Sequence, residues 1–199
     1  MPTGKRPRLR AIRAFGDEAG SAAVEFALTS VPFLGFVLAI FQVALYHFAA
    51  QSLDDATRTA SRSIMTGGVQ AQALTVDQFR ANLLCPALKM PLDCARVGVS
   101  ISKVGKRGSA QNAPDIDPYI DASVPALKPA NLDPNQRVYC LGGPGDFLFV
   151  DVTYSFLNVG GFIQSITGAV AGNAVTLRST NLVANEPFQV ASGSTQAGC

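Results

Sequence analysis

The sequence predicts an α+β protein in which a long N-terminal transmembrane helix continues into a small domain built on an antiparallel sheet. Residues 26–53 contain no Asp, Glu, Lys or Arg, and about 20 apolar residues are enough to cross a bilayer. An apolar stripe with helical spacing follows this run, and segments with the alternation of half-buried strands recur later in the chain. The apolar stripe of the helix and the apolar side of the sheet both need to be buried, and packing one on the other buries both.

Residues 1–20 form a basic leader. The leader contains five Lys or Arg residues and two acidic residues, which gives it a net charge of 5 − 2 = +3. The rest of the chain has a net charge of 11 − 12 = −1. Basic residues next to a membrane segment hold that end in the cytoplasm. We therefore expect a single-pass protein of the inner (cytoplasmic) membrane, with the leader inside and an exported domain at 67–199. A secretory signal peptide is disfavoured, because its apolar core has about 7–15 residues and is much shorter than this run.

One continuous helix is predicted over 21–66, and it spans about 69 Å at 1.5 Å per residue. Its uncharged part spans about 42 Å against a hydrocarbon core of about 30 Å, so the helix must tilt or project. Beyond Gln51 the helix becomes amphipathic, and Gly67-Gly68 ends it. Its apolar stripe consists of Leu53, Ala56, Ala60 and Ile64.

Pro32 lies inside this helix, where it removes one backbone hydrogen bond and crowds the carbonyl of Leu28. A kink is the expected result. The plainer alternative is a proline that a membrane helix tolerates.

The exported domain contains three segments typical of strands, at 96–104, 147–156 and 175–183, and they predict a sheet of three or four antiparallel strands laid on the helix. Thr75 and Gln78 have the spacing of a capping box, which predicts a short helix to about Leu84. Residues 109–136 are rich in Pro, Asp and Asn and predict a long surface loop.

All four cysteines, Cys85, Cys94, Cys140 and Cys199, fall in the exported domain. An even number fits two disulfides in an oxidising compartment. Zinc is disfavoured because no C-x-x-C pair is present and the single histidine, His47, lies in the apolar run. Of the three possible connectivities, we favour Cys85–Cys94 with Cys140–Cys199, because the first pair closes a short loop that contains a proline.

Composition and spacing exclude several functions. A net charge of +2 does not favour nucleic-acid binding. A Ser/His/Asp set is not credible with the only histidine in the membrane segment, so we expect no enzyme, no catalytic residues and no cofactor. Asp115, Asp117 and Asp121 suggest calcium, but they lack the EF-hand pattern. A solvated loop and no bound metal are therefore expected.

The junction before the apolar run has a distinctive order. Gly20-Ser21 is followed by Glu25 and Phe26, so an acid stands at the entrance of a membrane segment, where carboxylates are costly and usually functional. Together with the proline and the polar extension 51–62, this pattern resembles the TadE-like family of minor pilins and pseudopilins of the tight-adherence (Flp) type IV-like pilus. The resemblance covers about 20–68, and Asn185-Glu186-Pro187-Phe188 is similar to the same family.

The resemblance implies a pilin-like exported domain and a prepilin peptidase that cuts between Gly20 and Ser21. It further implies that Glu25 pairs with the new α-amino group of a neighbouring subunit, and that Phe26 takes the aromatic place of Flp-type pilins. The implied partners are the major Flp pilin, other minor pilins, the inner-membrane assembly platform and membrane lipid. The implied roles are pilus assembly, adherence and biofilm formation, in the membrane or in the fibre.

An alternative interpretation remains open at this point. The chain is then an uncleaved single-pass envelope protein whose exported domain binds a partner or a ligand. The two interpretations differ in the mature N-terminus, which is Ser21 for the pilin and Met1 or Pro2 for the anchored protein.

Overall fold

A computed structural model describes residues 18–107, 113–124, 126–130, 133–157 and 174–188. The chain divides into two units, Met1–Val43 and Ala44–Cys199. Helix α1 extends over Glu18–Met65 and includes Pro32. The predicted helix over 21–66 is therefore confirmed, and it begins three residues earlier than expected. The helix continues through the proline, and the predicted kink stays a prediction.

The second part of α1 supplies one wall of the core of the unit Ala44–Cys199. Leu53, Ala56 and Ile64 are fully buried and Ala60 is 2% exposed, which confirms the predicted stripe. Three small polar residues beside the stripe, Ser52, Thr57 and Ser61, are buried as well. The sequence pattern did not predict their burial. Small side chains let another element approach the helix closely.

Three short helices follow the glycine stop. They are α2 (Gly68–Ala71), α3 (Val76–Phe79) and α4 (Cys85–Ala87), with a π-helical stretch at Arg80–Leu84 between the last two. The capping box at the start of α3 is confirmed, since Gln78 N donates to Thr75 Oγ1 at 3.3 Å and Thr75 N donates to Gln78 Oε1 at 3.0 Å. Helical structure extends past the expected end at Leu84, because the π-helical stretch leads directly into α4.

The sheet contains the three predicted strands, each matching its expected position closely. They are β1 (Val97–Val104), β4 (Phe147–Leu157) and β5 (Ala174–Ala184). All pairings are antiparallel in the order β1-β4-β5. The fold class is thus confirmed as α+β, with a long apolar helix followed by a small antiparallel sheet domain.

The inner side of the sheet and the end of α1 share one apolar core. Leu148, Val150, Val152 and Tyr154 alternate along the central strand and are all buried. A hydrogen bond of 3.0 Å from Ser179 Oγ to Asp54 Oδ1 also joins β5 to α1. The apolar stripe of the helix and the apolar side of the sheet therefore cover each other, as the sequence predicts.

The predicted surface loop has more structure than expected. It carries a small antiparallel hairpin of β2 (Ile120–Asp121) and β3 (Ala126–Leu127). Next to this hairpin, the Tyr119 ring stacks on Phe149 with a centroid distance of 4.5 Å. The Tyr119 hydroxyl also lies 2.9 Å from Ser102 Oγ. The described part of this segment therefore covers the outer side of the sheet instead of projecting freely into solvent.

Candidate assembly site on the N-terminal helix

The residues predicted for processing and assembly all lie near the start of α1. Gly20, Ser21, Glu25 and Phe26 are helical and exposed. Residues four apart share one side of an α-helix, so Ser21 and Glu25 lie on the same side, about 6 Å apart along the axis. The Glu25 carboxyl makes no ion pair within the described residues. It is therefore accessible to a group outside this chain.

Gly20 is not explained by packing. A Cβ placed there meets no atom within 4 Å, and its φ angle is not in the left-handed region. Neither space nor backbone conformation in the described structure thus requires a glycine.

The apolar part of α1 presents large side chains on all sides. Phe26 is 74% exposed and the rest of this set is similarly open: Val24, Leu28, Val31, Phe33, Leu34, Phe36, Leu38, Ile40 and Phe41. An 18-residue stretch of α1 has a mean hydropathy of 2.1, and none of it is buried. A contiguous apolar surface of this kind indicates a membrane or a protein partner. By length and composition α1 is able to cross a membrane, which is compatible with a single-pass membrane protein.

Hydroxyl groups within this apolar part turn back onto the helix. Thr29 Oγ1 donates to Glu25 O at 3.0 Å and lies 3.2 Å from Phe26 O. Ser30 Oγ donates to Ala27 O at 3.2 Å. Polar groups satisfied within their own helix are the ones that an apolar environment tolerates. These hydroxyl groups are thus satisfied, whereas Glu25, the one Asp, Glu, Lys or Arg residue between Gly20 and Leu53, carries a charge.

His47 lies farther along the helix and is exposed. Its ring makes an edge contact with Tyr46, at a centroid distance of 5.7 Å. Aromatic side chains with a polar tip suit the boundary between lipid and water. The ring contact is compatible with such a position.

One predicted disulfide is present. Cys85 and Cys94 are bonded, with Cα atoms 6.1 Å apart, which confirms that pair. Cys140 is also disulfide-bonded, while Cys199, its predicted partner, lies outside the described residues. The second connectivity therefore stays a prediction.

The loop closed by Cys85 and Cys94 lies against α1. The backbone N–H groups of Lys89 and Met90 donate to the buried Ser52 Oγ at 2.9 and 3.2 Å. Lys89 Nζ lies 2.6 Å from Asp55 Oδ2, and this hydrogen bond lowers the pKa of the Asp55 carboxyl. The disulfide loop therefore supports the helix beyond its apolar part.

The segment Asn185–Phe188 has a role that the sequence did not show. Glu186 N donates to Met65 O at 2.9 Å, at the last residue of α1. Asn185 is 4% exposed and its Nδ2 donates to Leu141 O and Gly143 O, each at 3.0 Å. The segment therefore closes the C-terminal end of α1 and fastens it to the turn before β4.

The three aspartates considered for calcium are engaged in local contacts. Asp117 pairs with Arg107 at 2.9 Å, and Asp121 Oδ1 accepts from Ser123 N and Oγ at 2.9 and 2.6 Å. Asp115 Oδ1 accepts from Asp117 N at 3.3 Å. Within the residues that the structure describes, no group of three or more His, Cys, Asp or Glu residues is arranged to hold a metal ion.

Sequence reasoning missed the ion pair between Asp151 on β4 and Arg178 on β5. The Arg178 guanidinium donates from Nε and Nη2 to the two carboxylate oxygens at 2.9 and 2.8 Å. Both residues stand at outward positions, and each is the only charged residue of its strand. A charged residue at such a position on each of two predicted strands was the available signal, but it does not reveal the strand register.

Comparison with known proteins bears on the N-terminal segment. Residues 20–62 match the model of the TadE family, whose description is TadE-like protein. No curated protein and no solved structure matches the chain. The matched range begins at the glycine of the predicted junction and covers the apolar part of α1 and most of its amphipathic end. The resemblance inferred from the residues is thereby confirmed over residues 20–62.

Proposed function

We propose that the chain is a minor pilin or pseudopilin of a tight-adherence (Flp) pilus, cut by a prepilin peptidase between Gly20 and Ser21 and assembled through α1. The TadE-like match supports a role in Tad pilus systems, in an assembly complex with other pilins. The observation that carries the finer proposal is the coincidence of that match with an exposed apolar part of α1 in which Glu25 is the single carboxylate.

Processing changes the charge of the helix start. Water adds across the Gly20–Ser21 peptide bond, so that Gly20 leaves with a carboxylate and Ser21 keeps an α-amino group. That amine has an ordinary pKa of about 7.7–8.0 and is mostly protonated at neutral pH. The leader, with its charge of +3, leaves at the same time.

The new cation provides a partner for Glu25. A lone carboxylate at the edge of the lipid costs about 2–3 kcal/mol, and pairing it with the Ser21 ammonium of an adjacent subunit offsets that cost. The attraction is larger in lipid than in water because the dielectric constant is lower. The pair also sets the axial register of two helices, since each subunit supplies one acid and one amine. An uncut precursor lacks the amine.

The remaining partners follow from the same surface. The apolar side chains of α1 contact lipid before assembly, and the helices of the major Flp pilin and of other minor pilins afterwards. The inner-membrane assembly platform and the prepilin peptidase act while the helix is in the membrane. The positive leader places the N-terminus in the cytoplasm and the exported domain outside.

The experiment is to measure the mature N-terminus and fibre incorporation together, in cells that express the full chain. Wild-type protein purified from membranes should begin at Ser21. Glu25→Gln keeps the shape of the side chain but removes its charge, so it should be cut normally and lost from sheared fibres. Asp55→Asn, which neutralises an exposed acid elsewhere on α1, should be both cut and incorporated.

Two results contradict this proposal. An intact leader on all membrane material identifies the chain as the uncleaved envelope protein of the alternative interpretation. Normal incorporation of Glu25→Gln removes the pairing mechanism, even if cleavage occurs.

A further inference from the structure

A small cleft lies on the outer side of the sheet, on the side opposite the core. Its volume is about 160 Å³, its floor comes from Ser102, Phe149, Asp151 and Arg178, and the covering segment contributes Tyr119 and Lys128. Sites for drug-sized ligands measure about 300–1,000 Å³. This cleft is therefore sized for one small group, such as a single residue of a polymer.

The floor of the cleft is held in place by charge-assisted hydrogen bonds. Arg178 binds both oxygens of Asp151, and its Nη1 donates to Lys128 O at 2.5 Å. The Asp151 side chain is 13% exposed and that of Arg178 is 22% exposed. Bidentate pairs of this kind fix geometry as well as charge. Each carboxylate oxygen keeps a further acceptor site, so Asp151 can still accept a hydrogen bond from a ligand hydroxyl.

The covering segment brings in a cation, Lys128, that makes no ion pair within the described residues. Lys128 Nζ donates to the carbonyl of Pro118 at 2.7 Å, and no carboxylate of the described residues lies within ion-pair distance of it. Among the lining residues Asp151 and Arg178 cancel each other, which leaves the charge of Lys128. Lys128 also contributes to lowering the pKa of the Asp121 carboxyl, a group that does not line the cleft. Two N–H groups of the ammonium remain available, which suits a carboxylate ligand.

The other lining groups suit a sugar ring. The paired hydroxyls of Ser102 and Tyr119 can each accept or donate one more hydrogen bond. Pro118 and Pro129 add apolar surface at the edge of the cleft, against which the C–H side of a ring can pack. We propose that this cleft binds one uronic acid residue of an acidic polysaccharide. Its carboxylate contacts Lys128, and its hydroxyls contact Asp151 and the Ser102–Tyr119 pair.

The test is a titration of the full chain in detergent micelles with D-glucuronate, D-glucose and acetate, followed by calorimetry or ligand-observed NMR. We expect saturable binding of glucuronate. Glucose lacks the carboxylate and acetate lacks the hydroxyls, so each should bind at least about tenfold more weakly, which is the loss expected for one charge-assisted contact. This binding does not depend on processing at Gly20, so its outcome is separate from that of the proposed function.

Lys128→Gln removes the cation without touching the Asp151–Arg178 pair and should weaken glucuronate binding at least about tenfold. Lys106→Gln, at an exposed lysine that does not line the cleft, should leave binding unchanged. Equal binding of acetate and glucuronate would reduce the cleft to a simple anion site and overturn the proposal. So would unchanged binding by Lys128→Gln, or no saturable binding of glucuronate.

Discussion

At the residue scale, the end of α1 depends on a contact between two residues far apart in sequence. Gly67 has a φ of 77°, in the left-handed region, and a Cβ there would lie 2.5 Å from Cγ of Phe188. Phe188 belongs to the segment that closes the end of α1. The glycine is therefore required both by its backbone conformation and by the space that the phenylalanine ring occupies.

Gly67→Ala should lower the free energy of unfolding by about 2–4 kcal/mol, combining left-handed strain with overpacking against Phe188. Gly68→Ala is the matched control. Its Cβ would have Ser63 O at 3.4 Å as its nearest neighbour, and its φ is not in the left-handed region. It should therefore change stability by less than about 1 kcal/mol. Urea unfolding of both variants measures the difference, and equal effects would contradict the role assigned to Phe188.

Asp146 is a second residue whose surroundings determine its behaviour. Burial alone would raise the pKa of this carboxyl, but the Gly143 N–H and the Lys103 ammonium outweigh burial and hold the pKa below its ordinary value. The contacts are 2.8 Å from Gly143 N and 2.9 Å from Lys103 Nζ. Because the pKa is lower in the folded state, the ionised carboxylate stabilises the fold above the unfolded pKa, and this contribution is lost as pH falls through the folded pKa.

Asp146→Asn should therefore reduce the free energy of unfolding by about 1–2 kcal/mol at pH 7. The difference in the free energy of unfolding between wild type and variant should shrink as pH falls below about 4. There the wild-type carboxyl becomes protonated, so that both side chains are uncharged. Glu186→Gln, at an exposed position, should have little effect at either pH. Thermal unfolding across this pH range checks the expectation, and a difference that grows at low pH would contradict it.

At the scale of elements, α1 is one helix with two kinds of surroundings. Leu34 is 56% exposed, whereas Leu53 is fully buried in the core shared with the sheet. Two leucine side chains on one helix therefore contribute to two different processes. Leu53 stabilises the folded domain, and Leu34 contacts whatever surrounds the apolar part of the helix.

Leu53→Ala should lower the free energy of unfolding of the domain by about 2–5 kcal/mol, the usual cost of truncating a buried leucine. Leu34→Ala is the matched change and should leave unfolding of the domain within about 0.5 kcal/mol of wild type. Denaturant unfolding in micelles, followed by circular dichroism of the sheet, separates the two. A large effect of Leu34→Ala would mean that its side chain packs within the folded domain.

At the scale of the whole molecule, the apolar part of α1 should determine where the protein resides. Leu38→Arg places a charge near the middle of the apolar part, at a cost of about 2.5–3.5 kcal/mol for a membrane-spanning helix. Thr59→Arg adds the same charge at an exposed position on the amphipathic end of α1. Fractionation of cells should show that the first variant is depleted from membranes and the second is not. Equal membrane content of both would contradict a spanning role for this segment.

The sequence by itself determined the features that depend on neighbours along the chain. The uncharged run and the helical spacing that follows it predicted α1 and its buried stripe, and alternation predicted the three strands. The residues from Gly20 to the polar extension 51–62 predicted the TadE-like resemblance that the family match confirms over 20–62. The Cys85–Cys94 pair was favoured on a similar local ground, because the two cysteines are only nine positions apart in sequence. In each case the physical signal lies within a few turns of helix or a few residues of strand.

Only the tertiary structure decided the features that depend on strand register and on distant contacts. Asp151 and Arg178 are 27 residues apart in sequence, and which residues of β4 and β5 stand beside each other is fixed by packing of the whole sheet. The contact of Glu186 with the end of α1 and the stacking of Tyr119 on Phe149 likewise depend on how the whole domain folds. These contacts come from elements that fold back over long distances, and a local pattern carries no information about which residues such folding brings together.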